Sequence, residues 1–141
     1  MIISISLSIY AGVKIIEKSI DKTISLITEA DDDIHLGGLD TYRYWAEREP
    51  SPGTKVLNGQ YKSSSHFTQE YVMYLELEAK WAKSFAKDSG LHHAESNPDI
   101  PNDAPKWFNP PKGYEIWEGS QGSTYFINSN TGHMFIYEVQ F

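Results

Sequence analysis

Hydrophobic and polar residues alternate most clearly in the C-terminal part of the chain, from Gly113 to Phe141. An alternation with a period of two is typical of strands that bury one face. Two turn-forming segments interrupt it, and the second, Asn128–Gly132, has the composition of a type I turn followed by a left-handed glycine. The pattern therefore predicts a three-stranded antiparallel meander. Its strands are Tyr114–Glu118, Ser123–Asn128 and His133–Phe141.

The middle of the chain predicts a further strand, a short helix and a connector. From Gln69 to Glu78 the apolar residues again alternate, which predicts a strand. Its apolar face carries Tyr71, Met73, Leu75 and Leu77. Residues 79–89 then place Trp81 and Phe85 one helical turn apart, with Gly90 as a stop signal. Residues 96–112 contain five prolines and predict an ordered connector without regular structure.

The N-terminal region predicts an amphipathic helix over residues 12–30, because apolar residues recur there at spacings of three and four. These residues are Val13, Ile16, Ile20, Ile24 and Ile27. The preceding residues, 1–11, have two open interpretations. Their lack of charge favours a membrane anchor or signal remnant, whereas isoleucines alternating with serines favour an edge strand.

The pattern is weaker between this helix and the central strand. Thr41–Trp45 alternates in a way that favours a strand with Tyr42 and Tyr44 on one face. Breaks, turns or polar loops are predicted at Gly37–Gly38, Pro50–Gly53, Asn58–Gly59 and Tyr61–His66.

Together these elements predict an α+β fold. It consists of an antiparallel sheet of four or more strands, including the C-terminal meander, packed against the amphipathic N-terminal helix and the shorter second helix. Residues 12–141 form one domain in this prediction, and residues 1–11 are an anchor, a signal remnant or an edge strand. A chain of 141 residues is long enough to bury a core of its own.

Composition narrows the functional classes. The net charge is −7, and no stretch of the chain is strongly basic, so binding to nucleic acid through its phosphates is disfavoured. The chain has no cysteine, which excludes disulfides, thiolate nucleophiles and cysteine-type zinc sites. The aromatic content, 13%, is the one unusual value and points to an aromatic core or an aromatic binding surface.

Catalytic and metal-binding patterns are incomplete. The run Asp31–Asp33 lacks the alternate spacing of a calcium loop, and Ser65–His66 lacks the third member and oxyanion hole of a hydrolase triad. The pair His92–His93 would need further ligands to hold zinc. We therefore predict no cofactor, no metal and no catalytic residue. A hydrolase alternative would use His66, His92, His93 or His133 with Asp40 or Glu70 as the carboxylate.

The tail resembles a WW domain, a three-stranded sheet that binds proline-rich peptides in an aromatic groove. Three segments carry the resemblance, Pro110–Glu115, Tyr125–Asn128 and Asn130–Gly132. The resemblance implies a ligand-binding role for Tyr125 and Phe126. The departures fall on Tyr114, Ile136 and Val139, in place of the family's two tryptophans and closing proline. The second tryptophan holds the ligand in that family, so the chain is not assigned to it.

The sequence favours a non-catalytic binding or interaction module with an unknown protein or peptide partner. Its candidate binding surface consists of Trp45, Trp117, Tyr125 and Tyr137. The alternatives are a small histidine-dependent hydrolase and a structural subunit of a larger assembly. Residues 1–16 offer a membrane attachment, which would place the protein at the cell envelope as an anchored or exported protein; the alternative location is the cytoplasm.

Overall fold

The computed structural model describes Ile20, residues 34–64 and residues 70–140. Ile20 is helical, but the rest of the predicted helix over residues 12–30 lies outside the described residues. The same holds for the predicted anchor or strand at residues 1–11, for the run Asp31–Asp33 and for His66.

The described elements are seven strands and two helices, in an α+β arrangement. The helices are α1 (Gly38–Ala46) and α2 (Ala82–Asp88). The strands are β1 (Ile34–Gly37), β2 (Lys55–Ser64), β3 (Glu70–Glu78), β4 (His92–His93), β5 (Glu115–Glu118), β6 (Ser123–Asn128) and β7 (His133–Gln140). All neighbouring strands are antiparallel, in the order β1-β2-β3-β7-β6-β5-β4.

The predicted meander is confirmed as β5, β6 and β7, and it continues into the rest of the sheet through β3. Leu75 of β3 pairs with Ile136 of β7, and Tyr125 of β6 pairs with the same Ile136 from the other side. The turn between β6 and β7 closes at Gly132, whose φ of 81° is the left-handed conformation that its position predicts. The tail is therefore the centre and one flank of a larger sheet.

Both faces of the sheet are covered. On the first, which we call the helix face, α1 and α2 pack over fully buried side chains of the central strands. These include Met73, Leu75, Leu77, Met134 and Ile136. On the second, the connector face, the proline-rich residues 96–112 take the place of a helix. Phe108 inserts there among Tyr74, Phe126 and Phe135, with ring centroids 4.9, 6.2 and 5.6 Å away.

Three predictions for the region before β3 are wrong. Thr41–Trp45, predicted as a strand, lies within α1, where Thr41 and Tyr42 are fully buried against the sheet. Asn58–Gly59, predicted as a turn, lies within β2, and so does the start of the predicted loop at Tyr61. A β-bulge between Val56 and Asn58 accounts for part of this irregular pattern, because it interrupts the alternation of faces.

Gly59 is the residue that lets α1 approach β2. A Cβ placed on Gly59 would lie 2.8 Å from the carbonyl oxygen of Gly38 and 2.9 Å from Cβ of Thr41. Only a glycine allows this contact between the first turn of a helix and a strand. The position of α1 therefore depends on the absence of a side chain at Gly59 of β2.

We expect Gly59→Ala to lower the free energy of unfolding by about 1–3 kcal/mol, because α1 must move away from the strand to admit the methyl group. Denaturant titration followed by circular dichroism measures the change. Gly38→Ala is the matched control, since nothing lies within 4 Å of its added Cβ. This control should be neutral or slightly stabilising through its better helix propensity. Equal losses in both variants would contradict the close-contact explanation.

Candidate binding site

A cavity of about 530 Å³ opens on the helix face, where the end of α1, the end of α2 and the turn between β5 and β6 converge. The strands beneath it contribute Tyr71, Ser123 and Glu138. Five of the fifteen described residues that line it are aromatic, and they are Tyr44, Trp45, Tyr71, Phe85 and Tyr125. They come from four separate parts of the sequence, so only the folded sheet and its two helices assemble the site.

The cavity rings form two groups. Phe85 lies 5.7 Å from Trp45 and 5.4 Å from Tyr125, measured between ring centroids, so these three rings form a continuous row. Tyr44 and Tyr71 meet edge to face at 5.6 Å. Behind the first group, Trp81 stacks on Trp45 at 6.2 Å, which restricts the orientation of the cavity tryptophan.

Glu138 supplies a hydrogen-bonded carboxylate to the cavity. Its Oε1 accepts a hydrogen bond from the hydroxyl of Tyr71, and its Oε2 accepts one from Oγ of Ser123 at 2.6 Å. Burial, together with this acceptor, raises the pKa of Tyr71 and keeps its hydroxyl a donor. A carboxylate has about four acceptor positions. Glu138 is thus held in place by two donors and retains the capacity to accept further hydrogen bonds.

The charge around the cavity is negative. Of the described residues that line it, two are glutamates, Glu47 and Glu138, and none is lysine or arginine. Glu47 ends α1 with a φ of 52°, a left-handed conformation in which glycine is the common residue. His92 lies at the opposite rim with its side chain 65% exposed, and its Nε2 is 3.5 Å from Glu118.

A separate polar chain crosses the connector face. Nδ2 of Asn58 donates to Glu76 at 2.7 Å, Glu76 lies 2.9 Å from Nε2 of His133, and Nδ1 of His133 lies 2.6 Å from the hydroxyl of Tyr114. If Tyr114 donates to Nδ1, a neutral His133 carries its proton on Nε2 and donates to Glu76. Both ring nitrogens are therefore already hydrogen-bonded within the protein.

The structure brings together two of the four predicted surface aromatics. Trp45 and Tyr125 line the cavity. Trp117, on β5, stacks on His93 at 3.7 Å and is half-buried. Tyr137 lies on the connector face, where it stacks on the ring of Tyr74 at 5.3 Å.

Among the residues that the structure describes, the histidine–carboxylate pairs differ from those that the hydrolase alternative would use. His133 pairs with Glu76, and His92 lies near Glu118. Asp40 instead pairs with Arg43 at 2.9 Å. Within the described ranges, no three histidine, aspartate or glutamate side chains cluster closely enough to hold a metal ion.

Sequence reasoning did not identify Glu138 as a site residue. On β7 it shares a face with Met134 and Ile136, both fully buried. A carboxylate that continues the buried face of a strand needs hydrogen-bond partners, and that requirement was the available signal. The sequence pattern did not indicate that Tyr44 and Tyr71 share a site. The two rings come together only because α1, which carries Tyr44, is a helix.

Comparisons of the chain with protein-family models, with curated proteins and with solved structures give no match. Neither helix in the described ranges is long and apolar enough to cross a membrane.

Proposed function

We propose that this protein is a non-catalytic binding module that holds a segment of a peptide or protein partner in the helix-face cavity. The observation that carries the proposal is the combination of five aromatic side chains with one fixed carboxylate in a single opening. Binding sites are typically concave, largely aromatic or apolar, and contain a few polar groups that fix orientation. Tyrosine and tryptophan are also the side chains that most often dominate binding energy.

The contacts of His133 argue against acid–base catalysis by that residue. A general acid or base needs a nitrogen or oxygen within hydrogen-bond reach of the substrate. Both nitrogens of His133 are engaged by Tyr114 and Glu76. The carboxylate in the cavity is engaged by Tyr71 and Ser123, in an arrangement suited to holding a charge in place.

We expect short peptides that bind this protein to perturb the indole N–H signal of Trp45 in two-dimensional nuclear magnetic resonance spectra. The probes are capped peptides of alanine with one central residue varied through all side-chain types. The indole signal of Trp107, which packs on the connector face, is the internal reference. Because Trp45 is in the cavity wall and Trp107 is on the opposite face, a cavity ligand should shift the first signal alone.

Trp45→Ala provides the matching variant. It should abolish the response of the Ser123 amide to the same peptides while the circular dichroism spectrum stays unchanged. A peptide response confined to the connector face, or no response to any peptide in the set, would refute the cavity as the binding site.

A further inference from the structure

We infer that the group bound in the cavity is the guanidinium of an arginine side chain presented by the partner. The inference rests on the proposed function and adds the chemistry of the ligand to it. It draws on three features of the described residues, namely the hydrogen bonds of Glu138, the aromatic rings that line the same cavity and the sign of the charge around the opening.

The first feature is the free acceptor capacity of Glu138. Tyr71 and Ser123 each occupy one acceptor position, on different oxygens of the carboxylate. At least one position is left on each oxygen, since a carboxylate accepts about four hydrogen bonds. A guanidinium presents parallel N–H groups that match two such oxygens. The two internal donors also hold the carboxylate still, so less ordering is required when the ligand binds.

The second feature is the row of rings formed by Trp45, Phe85 and Tyr125, with centroid spacings of 5.7 and 5.4 Å. A guanidinium is planar and weakly hydrated, and it stacks favourably on aromatic faces. Tryptophan gives the strongest attraction for a cation above its ring. Trp81, which stacks behind Trp45, fixes the ring that the cation would meet. An ammonium group can use the carboxylate but gains less from stacking, which favours arginine over lysine.

The third feature is the charge of the lining. Glu47 and Glu138 are its charged residues among those described, and His92 stands at the rim. The nearest cation on α1 is Arg43, which is held by Glu49 at 2.7 Å and by Asp40 at 2.9 Å and does not line the cavity. A cationic ligand therefore meets no competing positive group of the described lining, whereas an anionic ligand would face two carboxylates.

The test compares capped peptides of alanine that carry a central arginine, citrulline, lysine or glutamate. Citrulline has the shape of arginine without its charge. Titrations follow the Trp45 indole and the Ser123 amide in the wild-type protein and in Glu138→Gln. We expect arginine to bind most tightly, citrulline to bind at least about tenfold more weakly, and Glu138→Gln to remove this difference, since a charge-assisted hydrogen bond is lost.

Glu78→Gln is the matched control, because it removes the same charge from an exposed position of β3 outside the cavity. It should leave the arginine affinity within about twofold of wild type. If the Trp45 signal shows that the arginine and citrulline peptides bind equally, or that the glutamate peptide binds more tightly, the arginine assignment is overturned and the cavity remains the binding site. No shift with any peptide would refute both proposals. A shift of Trp45 that depends on protein concentration alone would assign the cavity to a second copy of the chain and overturn the inference.

Discussion

Phe108→Ala is expected to lower the free energy of unfolding by about 3–5 kcal/mol, the range for truncating a buried phenylalanine. Phe108 is only 5% exposed, although it belongs to a connector without helix or strand. Its ring meets Tyr74, Phe126 and Phe135, three residues from three different central strands. Truncation leaves a cavity at the point where the connector is attached to the sheet. Thermal and denaturant unfolding measure the loss.

Phe108→Leu is the control for this prediction, since it keeps most of the buried volume and should recover more than half of the lost stability. The effect should also be visible locally. The indole of Trp107 packs beside Phe108 at a centroid distance of 5.9 Å, so its fluorescence should move toward that of a solvent-exposed tryptophan. A Phe108→Ala protein with wild-type stability would mean that the connector does not contribute to the core.

The alternation of the C-terminal strands and of β3 was sufficient to predict the centre of the sheet. Each of these strands is long enough for a period of two to be recognised, and Gly132 marks a turn that has one favoured conformation. The prediction separated the two faces of β3 correctly, since Met73 and Leu75 pack in one core cluster and Tyr74 packs in the cluster on the opposite face. Gly90, with a φ of 65°, ends α2 as its position predicts.

Residues 38–64 show where local patterns are insufficient. In a segment of five residues, the positions of Tyr42, Tyr44 and Trp45 fit a strand as well as a helix. The tertiary contact that favours the helix is made by Gly59, which is distant in the sequence. A Cβ on Gly59 would lie 2.8 Å from the carbonyl oxygen of Gly38 in the first turn of α1, a tertiary restriction that no window around Thr41 contains. The same glycine, next to Asn58, has the composition of a turn. Tertiary packing thus determines the conformation of both segments.

The site was less predictable than the fold for a related reason. Trp45 and Tyr125 were identified as binding aromatics because aromatic residues are frequent in binding surfaces. Their common cavity depends on Phe85, which lies between them and comes from α2. Glu138 required knowledge of which face of β7 is covered by helices. A sequence with aromatic residues on both faces of a strand does not contain that information.

Raising the pH above about 10 is expected to unfold this protein cooperatively. Burial is the main cause that raises the pKa of six tyrosines in the described ranges. They are Tyr42, Tyr61, Tyr71, Tyr74, Tyr125 and Tyr137. In the unfolded chain a tyrosine loses its proton near pH 10. The folded state binds more protons above this pH, so stability falls as the pH rises.

Tyr74 indicates the size of the effect. Its burial raises its pKa to about 12, and the charges of Tyr137 and Asp103 add to the rise. Its contribution is fully present below pH 10 and is lost as the pH rises through about 12. At about 1.4 kcal/mol for each pH unit, this residue alone accounts for roughly 3 kcal/mol. The other five tyrosines act in the same direction, against a total of about 5–15 kcal/mol that stabilises a typical domain. We therefore expect the transition between about pH 10 and pH 12.

Tyrosinate absorbance and far-ultraviolet circular dichroism, recorded on the same samples, should change together at one midpoint. Tyr74→Phe should flatten the decline of stability with pH, because one titrating group is removed. Phe135→Leu, in the same cluster, lowers stability at neutral pH but should leave the slope unchanged, because it removes no titrating group. Tyrosines that ionise one by one near pH 10 while the sheet persists would contradict the prediction. In that case the burial of these rings would not oppose their charge.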